Sequence, residues 1–399
     1  MNSPRKTVIR PESIGKLNKS LVLKQIRLHG PISRAEIARK TGLSKPSVSR
    51  SINILLRENL ILREGTPEVH EKIGRKPEML RFNNRAAFFI SIDIGGTKIT
   101  FGIGDLSGEI LKEYQIENPH SWDEIVKLIF IETKKLLKST KISYGDLKGV
   151  AVAAQGVVKI DEGTVTSAPN IMGPREYPLR DKLKEYLQTV PLWIENDVNL
   201  SAIGEFWRMQ EKYKNIVYIS IGTVIGGAII INGKLFRGKN YYAGEIGWFI
   251  PNRGYLFKEL GEFGCLERLA TGPALIEKTR RIIQKGYYKD DFLISNNSIT
   301  PRKIFNAYKK GSVIAKQVVK EWIENLGITI CNISSLLNPE LVILEGGLTR
   351  SGDFFLKDLR RIVQWGCQVP PEIKISTLQH RAPLYGGLKL CIDNFLKEI

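Results

Sequence analysis

Apolar residues in the first thirty positions recur at helical spacing: Leu17, Leu21, Ile26 and Leu28, with Val22 between them. They predict a helix with those residues on its inner face, stopped by Gly30-Pro31. Ser33-Arg34-Ala35-Glu36 has the form of a capping box, which opens a short second helix through Ile37 and Ala38. Thr41-Gly42-Leu43 reads as a turn. Ser44 is expected to cap a third helix, and Pro46 is tolerated in its first turn because an N–H there lacks an intrahelical partner. Val48, Ile52 and Leu55 then share one face and should be buried. Leu60-Ile61-Leu62 and residues 78–82 form a short hairpin around a polar tip or linker that contains Gly74-Arg75-Lys76-Pro77. Three helices and a hairpin in this order describe a winged helix-turn-helix.

Beyond it the pattern changes. Residues 88–93, Phe-Phe-Ile-Ser-Ile-Asp, are a near-continuous apolar run, as expected of a buried strand. Gly95-Gly96-Thr97 turns tightly, residues 99–103 return as a second strand, and Gly108 closes the next turn. Residues 216–235 repeat the design: a strand, Gly222-Thr223, Gly226-Gly227, a second strand and a turn at Asn232-Gly233. The repeat suggests a duplicated α/β architecture with one hairpin in each lobe facing a cleft. Glycines let backbone N–H groups approach an anion, Thr97 and Thr223 add hydroxyls, and Lys98 adds a cation. Asp93 beside the first turn can hold a hydrated divalent cation. Gly346-Gly347, after the apolar strand Leu341-Val342-Ile343-Leu344, is a third such turn. Trp193-Ile194-Glu195-Asn196-Asp197 is a strand ending in polar residues, followed by a helix with Ala202, Ile203 and Phe206 on one face. Polar residues at a strand's carboxyl end face a ligand crevice in many α/β domains. Asp197 is therefore either a general base or, with Asn196, a cap of the following helix.

Charge sharpens the picture of the first module. The 399-residue chain has a net charge of +19, and residues 1–80 hold 17 Lys and Arg against 7 Asp and Glu. Such concentration suggests a polyanionic partner. The outward face of the third helix presents Ser44, Lys45, Ser47, Ser49, Arg50 and Asn53, which suit phosphates and base edges of double-stranded DNA, and no acidic residue opposes them. Arg75 and Lys76 either enter a minor groove or are solvated loop charges. No apolar run reaches the roughly 18 residues of a membrane span. The four cysteines are scattered without a CxxC, which fits a reducing cytoplasm and argues against a disulfide scaffold.

Taken in order, these motifs resemble the ROK family of repressors and sugar kinases, across nearly the whole chain, and within it the branch of xylose and N-acetylglucosamine repressors. The matching stretches are residues 93–98, Gly222-Thr223 with Gly226-Gly227, Gly346-Gly347, Glu195-Asn196-Asp197, residues 243–247 and residues 264–267. The resemblance implies an actin-like (ribonuclease H-like) two-lobed sugar-kinase fold behind the winged helix. It divides the chain into a DNA-binding domain at 1–83, a first α/β lobe at 84–200 plus 382–399, and a second lobe at 201–381. It implies a homodimer on a palindromic operator, with a sugar or polyol between the lobes, hydrogen-bonded by Asn170, Asn196, Asp197, Glu245 and Glu267. In a kinase member Asp197 would be the catalytic base, and ATP with magnesium would use the glycine turns.

Three departures matter. Trp248 stands where the family has a histidine that touches sugar and zinc. The family's zinc cysteines fall at Lys258, Leu260 and Cys265, so one thiol remains and no zinc is expected. The segment 252–263 is then expected to be held by packing through Trp248, Tyr255, Leu256, Phe257, Leu260 and Phe263. Trp248 either reshapes the sugar pocket or fills the vacated zinc region. Val224 occupies a position that kinases give to glycine, where a side chain crowds a nucleotide. The expected function is a sugar-responsive repressor of carbohydrate genes. The alternatives are a sugar kinase with a DNA-binding head, and a DNA-binding protein whose body only dimerises.

Overall fold

Capping chemistry sets the N-terminal helices. The computed structural model describes residues 11–64, 78–166, 168, 171–258, 261, 263–286, 288, 291, 293, 298–349 and 354–399. Helix α1 (Pro11–His29) is followed by strand β1 (Ile32–Ser33), α2 (Arg34–Thr41), α3 (Lys45–Arg57) and the hairpin strands β2 (Ile61–Glu64) and β3 (Met79–Phe82). The Ser33 hydroxyl accepts from the Glu36 N–H at 3.3 Å, and the Ser33 N–H donates to the Glu36 carboxylate at 3.2 Å, completing the capping box. Gly42 ends α2 at φ +70°, a left-handed conformation that glycine adopts without strain. The Ser44 hydroxyl accepts from the Ser47 N–H and caps α3. β1, β3 and β2 form an antiparallel sheet in that order.

The inner face of α1 differs from the expected one. Leu17 and Leu28 are 60% and 61% exposed, Leu21 is half-buried, and Val22, Leu23 and Ile26 are buried. The helix carries two apolar stripes, and contact with α3 and β3 selects the one that meets Ile52, Leu55 and Leu80. Periodicity alone cannot choose between stripes.

The first lobe contains β4 (Phe88–Ile94), β5 (Lys98–Asp105), β6 (Ile110–Glu117), α4 (Trp122–Thr140), β7 (Leu147–Ala154), β8 (Val157–Lys159), β9 (Thr164–Thr166), β10 (Glu176–Tyr177), α5 (Leu179–Leu187) and β11 (Leu192–Asn196). Helix α6 (Asp197–Arg208) leads to the second lobe. That lobe contains β12 (Ile216–Ile221), β13 (Ile225–Ile231), β14 (Lys234–Phe236), α7 (Glu267–Ala270), α8 (Gly272–Gln284), α9 (Pro301–Lys309), α10 (Val313–Leu337), β15 (Leu341–Glu345), α11 (Leu356–Gly366) and β16 (Glu372–Ile375). Helix α12 (Ala382–Glu398) returns to the first sheet.

The two five-stranded sheets share one topology. The first has the order β11-β7-β4-β5-β6 and the second β16-β15-β12-β13-β14. In each, a glycine-turned hairpin joins an antiparallel strand on one side and two parallel strands on the other. The internal repeat legible in the two hairpins is thus a repeat of whole sheets. Between them α6 packs tightly on α12. A Cβ on Gly204 would lie 2.2 Å from the Ala382 carbonyl, and one on Gly386 would lie 1.8 Å from the Leu200 carbonyl, so the approach requires glycine at both positions. α6 also packs on β12 and β13, and it spans position 200 as one continuous helix.

The winged helix is joined to the first lobe by a common core. Ile52, Leu55 and Leu80 belong to one buried cluster with Phe89, Cys391 and Ile392. The Asn83 side chain donates to the Asn59 carbonyl at 2.7 Å, and the Leu106 N–H donates to the Asn84 carbonyl at 3.0 Å. No helix among the described residues is long and apolar enough to cross a membrane.

Candidate functional site

The third helix buries Val48, Ser51, Ile52 and Leu55 and turns its other face outward. Ser44, Lys45, Arg50 and Asn53 are exposed there, and Ser47 and Ser49 are half-buried. Proline and a serine cap at its N-terminus leave backbone N–H groups and small hydroxyls facing solvent, a surface that suits phosphate and base edges. Arg75 and Lys76 lie outside the described residues.

In the body, the carboxyl ends of parallel strands from both sheets converge. β4 brings Asp93, β11 leads into Asn196 and Asp197, and β15 brings Glu345. Asp93 and Asp197 each feel the charge of Glu345, and Asp93 also feels Asp197. Desolvation is the main cause of the result. The Asp93 carboxyl is held well above the usual carboxylate range, and Asp197 is pushed up to about 6. Glu245 joins them from the second lobe, pushed up to about 7 by burial and then by Asp197 and Glu267. Such a group of desolvated carboxyl groups in a cleft suits a ligand rich in hydroxyls.

The neighbouring residues are held in different ways. Asn196 caps α6: its Oδ1 accepts from the Asn199 N–H at 2.9 Å, and its Nδ2 donates to the Gly156 carbonyl and to Asp197. Asp197 in turn accepts from the Val198 N–H at 2.9 Å. Glu267 is buried, and its two oxygens accept from the backbone N–H groups of Ile225 and Gly264, each at 2.8 Å. These bonds pin the second glycine hairpin to the loop ahead of α7. Asn170 lies outside the described residues.

The glycine turns split into two groups. The Gly95 N–H donates to the Lys98 carbonyl at 2.9 Å, leaving Thr97 and Lys98 exposed at the tip. Gly222, Thr223 and Gly347 line a cavity of about 860 Å³ with the N-terminus of α8 and with Thr300, Arg302 and Asn306. Gly346 has φ +113°, and a Cβ there would lie 2.2 Å from the Ile221 carbonyl, so β15 can turn there only through glycine. Val224, 37% exposed, projects from the second turn.

The segment after Trp248 departs from its expected packing. Trp248 is 51% exposed, Leu256 and Phe263 are exposed, Phe257 is fully exposed, and Tyr255 is half-buried. Leu260 lies outside the described residues. Hydrogen bonds hold the described part instead: Asn252 caps a short turn at Gly254, and the Leu266 N–H donates to the Gly247 carbonyl. Cys265 is buried, as a small apolar residue is. Among the described residues no group of three or more His, Cys, Asp or Glu could hold a metal ion.

Two functional candidates, Glu345 and Arg237, escaped the sequence reading, and Glu195 was named only as part of its strand. Glu345 ends an apolar strand as Asn196 does, and Asp93 lies one residue from the end of its own; that shared position was the available signal. The buried Glu195 and the partly exposed Arg237 form an ion pair between the lobes, at 2.7 Å. Nothing local in the sequence signals a pair separated by 42 positions.

Comparison with known proteins follows the same division. The ROK family profile matches residues 89–394, and a MarR family profile matches residues 16–70. A xylose repressor of Caldicellulosiruptor bescii is 30% identical over 389 residues, covering 95% of this chain and 96% of that protein. A solved ROK family transcriptional regulator, a homologue of E. coli MLC, superposes with a TM-score of 0.81 at 22% identity, over 96% of this chain and 98% of its own. A ROK family glucokinase from Streptomyces griseus, solved with glucose and AMPPNP, gives a TM-score of 0.63 at 28% identity, over 76% of this chain and 99% of its own.

Proposed function

The chain belongs to the ROK family, and we propose that it is a sugar-responsive DNA-binding repressor. The observation that carries this is a joint one: an exposed, basic, serine-capped helix shares a hydrophobic core with the lobe that supplies Asp93 and Asp197 to a carboxylate-lined cleft. A ligand that draws the lobes together moves the winged helix with the first lobe. In a dimer this changes the spacing of two recognition helices, and with it the affinity for a palindromic operator. The size of the effect is set by how strongly the ligand prefers one state.

We assign the sugar to Asp197 and Glu245, with Asn170 and Trp248 as further contacts. Asn196 and Glu267 support them by fixing the helix cap and the glycine hairpin. DNA contacts are assigned to Ser44, Lys45, Ser47, Ser49, Arg50 and Asn53, and to Arg75 and Lys76. The proposed domains are 1–83, 84–200 plus 382–399, and 201–381, with α6 as the shared element at the second boundary. The name of the C. bescii relative makes xylose the first effector to test. Fluorescence anisotropy on DNA upstream of the gene, at fixed salt and across a panel of pentoses, hexoses and polyols, tests the reading. Specific binding that one sugar changes supports it; specific binding that no sugar changes refutes it.

One observation favours a second reading. The cavity at Gly222, Thr223 and Gly347 is large enough for a nucleotide, and Asp197, pushed up to about 6, is suited to act as a base near neutral pH. Residues 93–98 with the glycine turns would then hold ATP and magnesium, whose chemistry is phosphoryl transfer to a sugar hydroxyl. Val224 adds an exposed side chain next to Thr223 of that cavity, which weighs against this reading. Release of ADP on the same sugar panel with magnesium separates the two.

A further inference from the structure

The loop from Arg237 to Glu245 belongs to the second lobe, yet both its ends address the first. It leaves strand β14 at Arg237 and closes on itself, the Ala243 N–H donating to the Arg237 carbonyl at 3.2 Å. Arg237 Nε and Nη2 donate to one oxygen of Glu195, at 2.8 and 2.7 Å. The other Glu195 oxygen accepts from the Asn196 N–H and the Asn199 side chain, both at 3.0 Å. One buried carboxylate therefore holds the turn that presents Asn196 and Asp197 with one oxygen, and the opposite lobe with the other. Farther along the loop, the Tyr241 hydroxyl donates to Asp161, between β8 and β9 of the first lobe. The loop ends at Glu245, close enough to Asp197 for their carboxyls to interact electrostatically.

We propose that Arg237 is a positioning residue that couples lobe spacing to occupancy of the cleft, by fixing the Asn196-Asp197 turn to the loop that carries Glu245. A guanidinium fork locked on a buried carboxylate transmits displacement in both directions, because neither partner can swing away without leaving Glu195 buried and unpaired. A ligand drawing Glu245 toward Asp197 pulls on a loop that Arg237 and Tyr241 anchor to Glu195 and Asp161. This inference rests on the proposed sugar site, and its test has one arm that does not.

The first arm is hydrogen exchange of the full chain without sugar, comparing wild type with Arg237→Ala and Arg237→Lys. Exchange in peptides spanning 196–200 and 238–245 should rise about tenfold in Arg237→Ala, and less in Arg237→Lys, while α3 and α10 stay protected as in wild type. Unchanged exchange in those two peptides overturns the proposal, and so does loss of protection throughout the second lobe, which would mark Arg237 as a general stabiliser. The second arm measures operator affinity with and without each sugar of the panel. Arg237→Ala should still bind the sugar, but its sugar-induced shift in operator affinity should shrink at least about fivefold, a loss within the usual range of coupling energies. A full shift in Arg237→Ala overturns the coupling role. If wild type itself responds to no sugar, the effector reading fails and the exchange arm alone decides whether the clasp exists.

Discussion

The recognition helix and the interlobe cleft are built by opposite rules. Every part of the helix is local: Ser44 caps it, Val48, Ile52 and Leu55 anchor it, and Lys45 and Arg50 remain exposed to water. The cleft is assembled from β4, β11, β15 and the loop after β14, which are far apart in sequence, and it crowds like charges out of water. A polyanion needs an exposed cationic face that screening can modulate, whereas a neutral polyol needs desolvated acceptors. What connects them is the shared core at Phe89, Cys391 and Ile392, which joins the head to the first lobe.

The contrast is open to attack by substitution. Removal of a buried anchor should have the largest effect. Ile52→Ala is expected to cost the head about 2–5 kcal/mol, abolishing operator binding and lowering the melting temperature, because the side chain is fully buried. A melting curve and anisotropy check this, and a stable, DNA-binding Ile52→Ala would break the view of one continuous core. Asp197→Ala should come next: the sugar response disappears while DNA binding without sugar stays within about twofold, since the two sites share no side chain. Calorimetric titration with the effector, alongside anisotropy, reads both quantities.

Arg50→Ala should do the reverse, weakening the operator by about 1–3 kcal/mol and flattening its sequence preference with sugar affinity intact. Competition with scrambled DNA measures it. The smallest effect sharpens the contrast in charge. Folded-state values of about 6 for Asp197 and about 7 for Glu245 lie above ordinary carboxylate values, so the folded chain binds more protons than the unfolded chain in this window. Their favourable contribution is complete below about pH 4 and is lost as pH rises through about 6–7. The melting temperature of the free protein should therefore fall by a few degrees more between pH 5 and 8 in wild type than in the double variant Asp197→Asn, Glu245→Gln. Equal slopes would mean that the cleft carboxylates are ordinary.

Legibility in the sequence followed the same division. Helices α2 and α3 could be read with their caps, because a capping box, an αL glycine and an N-terminal proline act within four residues. The two glycine hairpins announced the repeated sheets, because each lies in a contiguous stretch. The inner face of α1 was misread because two apolar stripes compete and only the partner surface decides. The segment 252–263 was misread because an apolar composition says nothing about what is available to cover it. Asp93, Asp197 and Glu245 were named from motif and family resemblance. Glu345 and the Glu195–Arg237 pair were not, since their significance lies in contacts across 42 to 252 positions of chain.

The most direct test of the account is reciprocity. Sugar affinity should be measured calorimetrically for the free protein and for its complex with saturating operator. If one ligand set governs both sites, the sugar's dissociation constant must change on DNA by the same factor by which the sugar changes operator affinity. A matched factor, typically about 5–150-fold, is the predicted result. Identical sugar affinity with and without operator would contradict it and leave the cleft and the recognition helix as independent sites.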